Sequence, residues 1–585
     1  MATRSEMWER LGGTVDVLVI GGGINGAGIA RDAARRGLKV AVVEMNDLAS
    51  GTSSRSSKLV HGGLRYLEHY EFSLVFEAVS ERRILLDIAP HLVNPLGFLF
   101  PVYQGDRRSL TTIGAGMMLY DGLSLFRSPK RHRKLSSKKV AAEFPALRQE
   151  GLKGAQLYYD CSTDDARLTL ETALQAVEVG AVVCSYAKCV ELKKEDGRIV
   201  SATIEDTFTG ERKVVSAGVY VNATGPWTDS ILEQAETPAD QPLLRPTKGI
   251  HIAVAHSKLP IAHAVVHFHP GDGRILFSIP WGDLTYVGTT DTDWDGDLDS
   301  VYADRADVDY LLECMTHYYP EHPLDDDDVI STWAGLRPLV RPEAKPGVEM
   351  DESSVSREHR IVVGEDGLVT IAGGKLTTYR LMSKEVVDTA VKVLRLSGKL
   401  EGRLRDPRTD DDPLPGAVNW PADDDHDAVA RSVKDVAGQA VSDETAALLA
   451  STYGMLSTRL ARRVRKHPEL AAPLVPGRPE ILAQVQWGVE QELCATVTDA
   501  LKQRTQLFYR DTDQGLGAIE ATGQLMQTLL GWTDEQRQAS EQDYRDEVAK
   551  SRAWQHQPRP ESASQTMEAA PDVEAPLASL ADAQG

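Results

Sequence analysis

The stretch VDVLVIGGGINGAGIARDAARRGLKVAVVE, Val15 to Glu44, decides the fold. VDVLVI is a short apolar run that reads as a buried strand, Val15 to Ile20. Gly21, Gly23 and Gly26 follow at G-x-G-x-x-G spacing, and from Ile24 to Arg36 apolar residues recur with a helical period. Gly37 stops that helix, at a position where left-handed backbone is cheap. KVAVVE is a second buried strand. Strand, turn, helix and strand make a βαβ unit, which predicts a parallel sheet covered by helices. The glycine spacing has a mechanical basis. Gly21 permits the tight turn, Gly23 lets backbone approach a pyrophosphate, and Gly26 lets helix lie close on strand. The helix N-terminus then presents N–H groups and a partial positive charge to phosphate. Glu44 lies 18 residues after Gly26, at the end of the second strand. Its carboxylate suits the hydroxyls of an adenosine ribose and would repel the 2′-phosphate of NADP.

The fingerprint alone does not separate NAD from FAD. Two further glycine clusters bear on the choice. In VNATGPW, Val221 to Trp227, a strand runs into small residues and Gly225. In IAGGKLTTYR, Ile371 to Arg380, Gly373 and Gly374 stand between a strand and a helix and create a second nest of backbone N–H groups. Such a nest can stabilise negative charge on a flavin ring. Three glycine clusters far apart in the chain fit an extended FAD better than NAD.

The chain has 585 residues, 42% of them hydrophobic, enough for about two to four domains with sizeable cores. The net charge of −22 argues against nucleic acid as a partner. Five cysteines without a CxxC pair argue against a disulfide framework and for a reducing compartment. No signal-peptide pattern and no run of about 18 apolar residues is visible, so no transmembrane helix is expected. A helix is predicted over Thr163 to Gly180, a single strand over AVVCSYAKCVEL (Ala181 to Leu192), and another over VVSAGVYVNATG (Val214 to Gly225). Short β-rich runs between Ile250 and Asp293 predict an antiparallel sheet covering the cofactor. Residues 399–427 are rich in proline and acidic residues and read as a linker. Helical patterns fill 428–552, and the small, acidic stretch 553–585 reads as a disordered tail.

Several segments together resemble one family. They are IGGGINGAGIARDAARRGL (Ile20 to Leu38), TSSRSSKLVHGGLRYLEHYEFSLV (Thr52 to Val75), DDARLTL (Asp164 to Leu170), VNATGPW, VGTTD (Val287 to Asp291), GLRPL (Gly335 to Leu339) and GGKLTTYR. In this order they resemble the flavin-dependent aerobic, or respiratory, glycerol-3-phosphate dehydrogenases, over about residues 14–395 and more loosely beyond. The resemblance implies an α/β (α+β) fold: a Rossmann-like FAD domain of the glycine-oxidase/D-amino-acid-oxidase type (14–100, 155–245 and 330–398). A substrate or cap domain with an antiparallel sheet (101–154 and 246–329) and a helical C-terminal domain complete it. It also implies oxidation of sn-glycerol 3-phosphate to dihydroxyacetone phosphate, with electrons passing from FAD to a membrane quinone. Carried over position by position, substrate contacts fall on Arg65, Tyr66, Arg337 and Lys375. Thr52, Ser53, Ser57, Leu59 and His61 fall on the stretch that wraps the flavin, and Gly225, Gly373, Gly374, Lys375 and Leu376 join them and the fingerprint residues as expected cofactor contacts. A cytoplasmic homodimer, peripheral on the inner face of the cell membrane, is expected. There is no EF-hand loop pattern, and no metal site is expected.

The residue types suit this chemistry. A phosphate monoester is nearly a dianion, and guanidinium groups grip it through paired hydrogen bonds. Arg65, just behind Gly62 and Gly63, and Arg337 are the candidates. As hydride leaves C2 for flavin N5, the C2 hydroxyl must lose a proton, work suited to histidine. His61 and His251 are the two candidates. The apolar stretch Thr111 to Phe126, followed by a basic run from Arg127 to Lys139, suits anionic lipid headgroups. Three other readings stand beside this one: a glycerol-3-phosphate oxidase using O2, an amine or amino-acid oxidase, and a non-catalytic flavin protein.

Overall fold

A computed structural model describes residues 3–63, 71–124, 129–236, 241–341 and 359–559. The strand Gly13–Ile20 lies at the centre of an eight-stranded sheet. It runs parallel to Arg212–Asn222 on one side and Val40–Val43 on the other. The parallel set continues outward to Leu368–Ala372 and to Val182–Cys184. Antiparallel additions finish the sheet: Arg360–Val363 at one edge, and Ala187–Glu195 with Arg198–Asp206 folded back onto Arg212–Asn222. The continuous apolar run is explained by burial on both sides: Val17, Leu18, Val19 and Ile20 are all buried. Each such side chain contributes about 1.5–3 kcal/mol of hydrophobic stabilisation.

The fingerprint helix, Ile24–Arg35, packs against the helices Asp165–Glu178 and Tyr379–Leu396. Gly21 has φ +109°, a backbone conformation that L side chains rarely adopt. A Cβ on Gly26 would sit 1.9 Å from the Gly21 carbonyl oxygen, so only glycine lets this helix approach its strand. Helix Asp165–Glu178 is capped by Asp164, whose carboxylate accepts from the Arg167 N–H at 3.0 Å. The stretch predicted as one strand over Ala181 to Leu192 is instead two, Val182–Cys184 and Ala187–Glu195. Tyr186 breaks it by adopting φ +54°.

The second sheet has ten strands. The predicted short runs appear as Leu244–Ala255, Ala264–Phe268, Ile275–Trp281, Leu284–Gly288 and Thr292–Asp293. They are joined by Leu59–Val60, Val93–Tyr103, Arg133–Ser136, Leu152–Thr163 and Val329–Val340. Four of these five come from, or reach into, stretches expected in the dinucleotide-binding part. Long-range pairing places them, which local periodicity does not record. Pairing is antiparallel throughout except between Ala264–Phe268 and Val93–Tyr103.

Two expectations about the C-terminal part change. The proline- and acid-rich stretch is not a free spacer. The Arg31 guanidinium donates to the carbonyls of Thr409 (2.9 Å) and Asp412 (2.7 Å), and Leu414 through Ala417 are buried. Arginine donors thus hold down a backbone that forms no helix or strand over 403–414. Beyond it, helices span His426–Ala437, Asp443–Tyr453, Ser457–Lys466, Leu482–Gln491, Ile519–Leu530 and Asp534–Arg552. The expected tail starts too early, because Trp554 is buried under the Arg305 guanidinium. Residues 560–585 lie outside the described residues.

Candidate active site

A cleft opens at the C-terminal ends of the parallel strands. Gly21, Gly23, Glu44, Thr52, Ser53, Gly225, Gly373, Gly374, Lys375 and Leu376 line it. Gly26 lies behind this wall, where it lets the helix seat on its strand. The local construction explains the residue types. Ser53 Oγ accepts from the Ile24 N–H at 2.9 Å, tying the Thr52–Ser54 turn to the helix N-terminus. A Cβ on Gly23 would come within 3.0 Å of that hydroxyl. The Glu44 carboxylate accepts from Gly22 N (2.6 Å) and Asn46 N (2.9 Å), and burial pushes its pKa up. Asn25 Oδ1, on a cleft-lining residue, is buried without a hydrogen-bond partner. A dinucleotide with hydroxyl and phosphate groups fits this donor and acceptor set.

The cleft shares Thr52, Ser56, Pro338, Gly373, Gly374, Lys375 and Leu376 with a second cavity. That cavity is also lined by Ser57, Leu59, His61, His251 and Arg337. Residues from the TSSRSSKLVH run, the GGKL turn and two strands of the second sheet therefore meet in one place. Arg65 and Tyr66 lie outside the described residues.

The polar residues of this cavity are held from behind. The Arg337 guanidinium donates to Asp291 (2.9 Å), to Thr289 Oγ1 (3.0 Å) and to the Thr290 carbonyl (2.9 Å). It crosses Gly249, whose Cβ would come 2.4 Å from Arg337 Nη2. His251 is buried, stacks on Trp333 with ring centroids 4.8 Å apart, and shares a 2.9 Å hydrogen bond between Nε2 and Ser57 Oγ. Burial, then the charges of Arg337 and Lys58, push its pKa well below 6.5, so its imidazole is neutral. His61 is fastened by its backbone. Its N–H donates to Thr377 Oγ1 (3.1 Å), and its Nδ1 accepts from Gly63 N at 3.1 Å. In the neutral ring the remaining proton then sits on Nε2.

Sequence reasoning passed over several residues here. Arg55 lines the second cavity, and its Nε is buried without a partner. The buried Lys58 ammonium pairs with Asp165 at 2.7 Å and lies within 6 Å of the Trp281, Trp333 and Tyr509 rings. Asp165 also accepts from Ser56 N and Oγ. The one available signal was the density of polar residues in TSSRSSK, which is too high for a plain strand.

Comparisons with known proteins bear on this arrangement. Residues 16–380 match the family described as FAD dependent oxidoreductase, and residues 407–537 match the C-terminal domain of alpha-glycerophosphate oxidase. An aerobic glycerol-3-phosphate dehydrogenase of Bacillus subtilis is 38% identical, covering 89% of this chain and 92% of its own. One from Staphylococcus saprophyticus is 36% identical, covering 93% and 96%. Among solved structures, the FAD complex of the Bacillus halodurans glycerol-3-phosphate dehydrogenase superposes with a TM-score of 0.76 at 31% identity, covering 94% of this chain and 97% of that one.

Proposed function

This chain belongs to the FAD-dependent aerobic glycerol-3-phosphate dehydrogenase family, and from that premise we propose that it oxidises sn-glycerol 3-phosphate to dihydroxyacetone phosphate in the cavity shared by the two sheets. The observation that carries the reading is the convergence of Arg337, Lys375, His61 and His251 around one cavity that adjoins the dinucleotide cleft. The first sheet supplies the cofactor wall and the second sheet the substrate wall.

Bound in the cleft, FAD supplies the two-electron acceptor for the hydride that leaves C2. The protein's own residues do the rest. Arg337, oriented by Asp291, Thr289 and Thr290, and Lys375 hold the phosphate by charge-assisted hydrogen bonds. The family resemblance adds Arg65 and Tyr66, which lie outside the described residues, as further substrate contacts. His251 accepts the proton of the C2 hydroxyl by way of Ser57, whose hydroxyl takes it and passes its own proton to Nε2 along their 2.9 Å hydrogen bond. Ser57 holds the ring in place through Nε2. His61, carrying its proton on Nε2, donates to a substrate oxygen.

Electrons leave for a membrane quinone, with O2 as the competing acceptor. Two features support the membrane reading. Helices Phe72–Ile88 and Leu110–Leu123 pack together and expose Phe72, Phe76, Met118 and Leu119. Lys130, Arg131, Arg133, Lys134, Lys138 and Lys139 are exposed in the segment that follows, a short strand and the helix Ser137–Glu143. No described helix is long and apolar enough to cross a membrane, and we propose peripheral contact, on the inner face. Turnover with a quinone analogue, measured against peroxide yield, tests the acceptor. Peroxide formed in step with every turnover, without quinone reduction, would move the assignment to an oxidase.

A further inference from the structure

The C-terminal helices have no role in the chemistry above, yet one short segment of them packs behind the loops that line the FAD cleft. Asp499–Arg504 forms a single π-helical turn, in which Thr505 N donates back to Ala500 O at 3.0 Å. Such turns bulge a helix and aim side chains where a regular helix cannot. This one addresses three separate points of the cofactor domain. Asp499 accepts from the Tyr186 hydroxyl at 2.5 Å, and Tyr186 precedes the cleft-lining Ala187 and Lys188. Gln503 donates to Ser54 Oγ at 3.2 Å, next to the Ser53 that caps the fingerprint helix. Arg504 makes a bidentate pair with Asp47, 2.6 and 2.9 Å, three residues after Glu44. Just past the turn, Gln506 donates to Asp164, the cap of helix Asp165–Glu178, at 2.7 Å.

The cost of this arrangement argues for a purpose. Arg504 and Asp47 are both buried, and a buried ion pair is at best weakly stabilising, since desolvation offsets the attraction. Geometry is what such a pair secures: a planar guanidinium fixes a carboxylate in two directions. Here the carboxylate stands in the loop whose residues Glu44, Met45, Ser50 and Gly51 face the cleft.

We propose that this π-turn is a clamp on the cofactor: Asp499, Gln503 and Arg504 are positioning residues that hold the two FAD-facing loops and the Tyr186 corner in their binding geometry. FAD binding and docking of the C-terminal helices are therefore coupled, and linkage makes the coupling reciprocal. The inference rests on the cleft being the FAD site.

Tyr186→Phe/Gln503→Ala removes two of the contacts and leaves the buried ion pair in place. Apoprotein of full-length wild type and variant is titrated with FAD by flavin fluorescence, and amide hydrogen exchange over residues 482–510 is compared with and without FAD. The clamp predicts that the variant binds FAD about tenfold or more weakly, and that FAD slows exchange in this segment of the wild type. A merely structural contact lowers the melting temperatures of apo and holo forms alike and leaves the FAD Kd where it was. That result, or exchange in 482–510 indifferent to FAD, overturns the proposal. Failure of the wild type itself to bind FAD would strike the site assignment instead.

Discussion

Arg337 shows how a single side chain acquires a function from its surroundings. Three acceptors orient its guanidinium, and Gly249 leaves the space it crosses. Arg337→Lys keeps the charge but loses the fork, so kcat/KM for glycerol 3-phosphate is expected to fall about 100-fold, roughly 2.7 kcal/mol, in steady-state assays. An unchanged kcat/KM would remove Arg337 from the phosphate site. His251 makes a prediction about pH. Only the neutral ring accepts a proton, and its pKa is pushed well below 6.5, so the active form persists as pH falls through 6.5. The acid limb of kcat, which reports the enzyme–substrate complex, is therefore expected below pH 6.5. In His251→Asn, kcat is expected to drop by about 10² or more and that limb to vanish. A limb centred at an ordinary histidine pKa, surviving in His251→Asn, would assign the proton to another group.

The turn Thr52–Ser54 and the residues after it form the element on which both walls depend. Asp165 holds it through Ser56 and the buried Lys58 ammonium. Asp165→Asn leaves that ammonium without its counter-charge, and about 3–5 kcal/mol of stability is expected to be lost in chemical denaturation. A loss under 1 kcal/mol would show that the pair holds nothing. How much of this could be read beforehand follows from the range of each interaction. Gly13–Ile20, Ile24–Arg35 and Val40–Val43 were legible because periodicity, turn glycines and burial are all local there. Arg337 and Lys375 were legible through the resemblance of whole motifs and His251 through the chemistry that the proton transfer needs, and all three line the cavity. Lys58–Asp165 and Arg504–Asp47 were not legible. Each joins residues more than 100 positions apart, and nothing in the periodicity of either segment marks its partner. The single strand expected across Tyr186 failed for a similar reason. Its left-handed φ goes with a hydrogen bond to Asp499, more than 300 residues away.

At the scale of the whole molecule, two sheets meet around one cleft with the C-terminal helical region packed behind its loops, and the acidic chain carries a local apolar and basic face. If that face docks on lipid, Met118→Asp/Leu119→Asp should abolish flotation with anionic liposomes while leaving turnover with a soluble acceptor intact. Flotation undiminished by the double substitution would place the membrane contact elsewhere. Central to the proposed function is that the cavity beside the cofactor cleft recognises a phosphorylated glycerol. The most direct measurement is anaerobic addition of candidate substrates to the purified flavoprotein, followed by its yellow absorbance. The account predicts bleaching by sn-glycerol 3-phosphate and none by glycerol or by amino acids at the same concentration. Absorbance left intact by glycerol 3-phosphate but lost with an amino acid would contradict it.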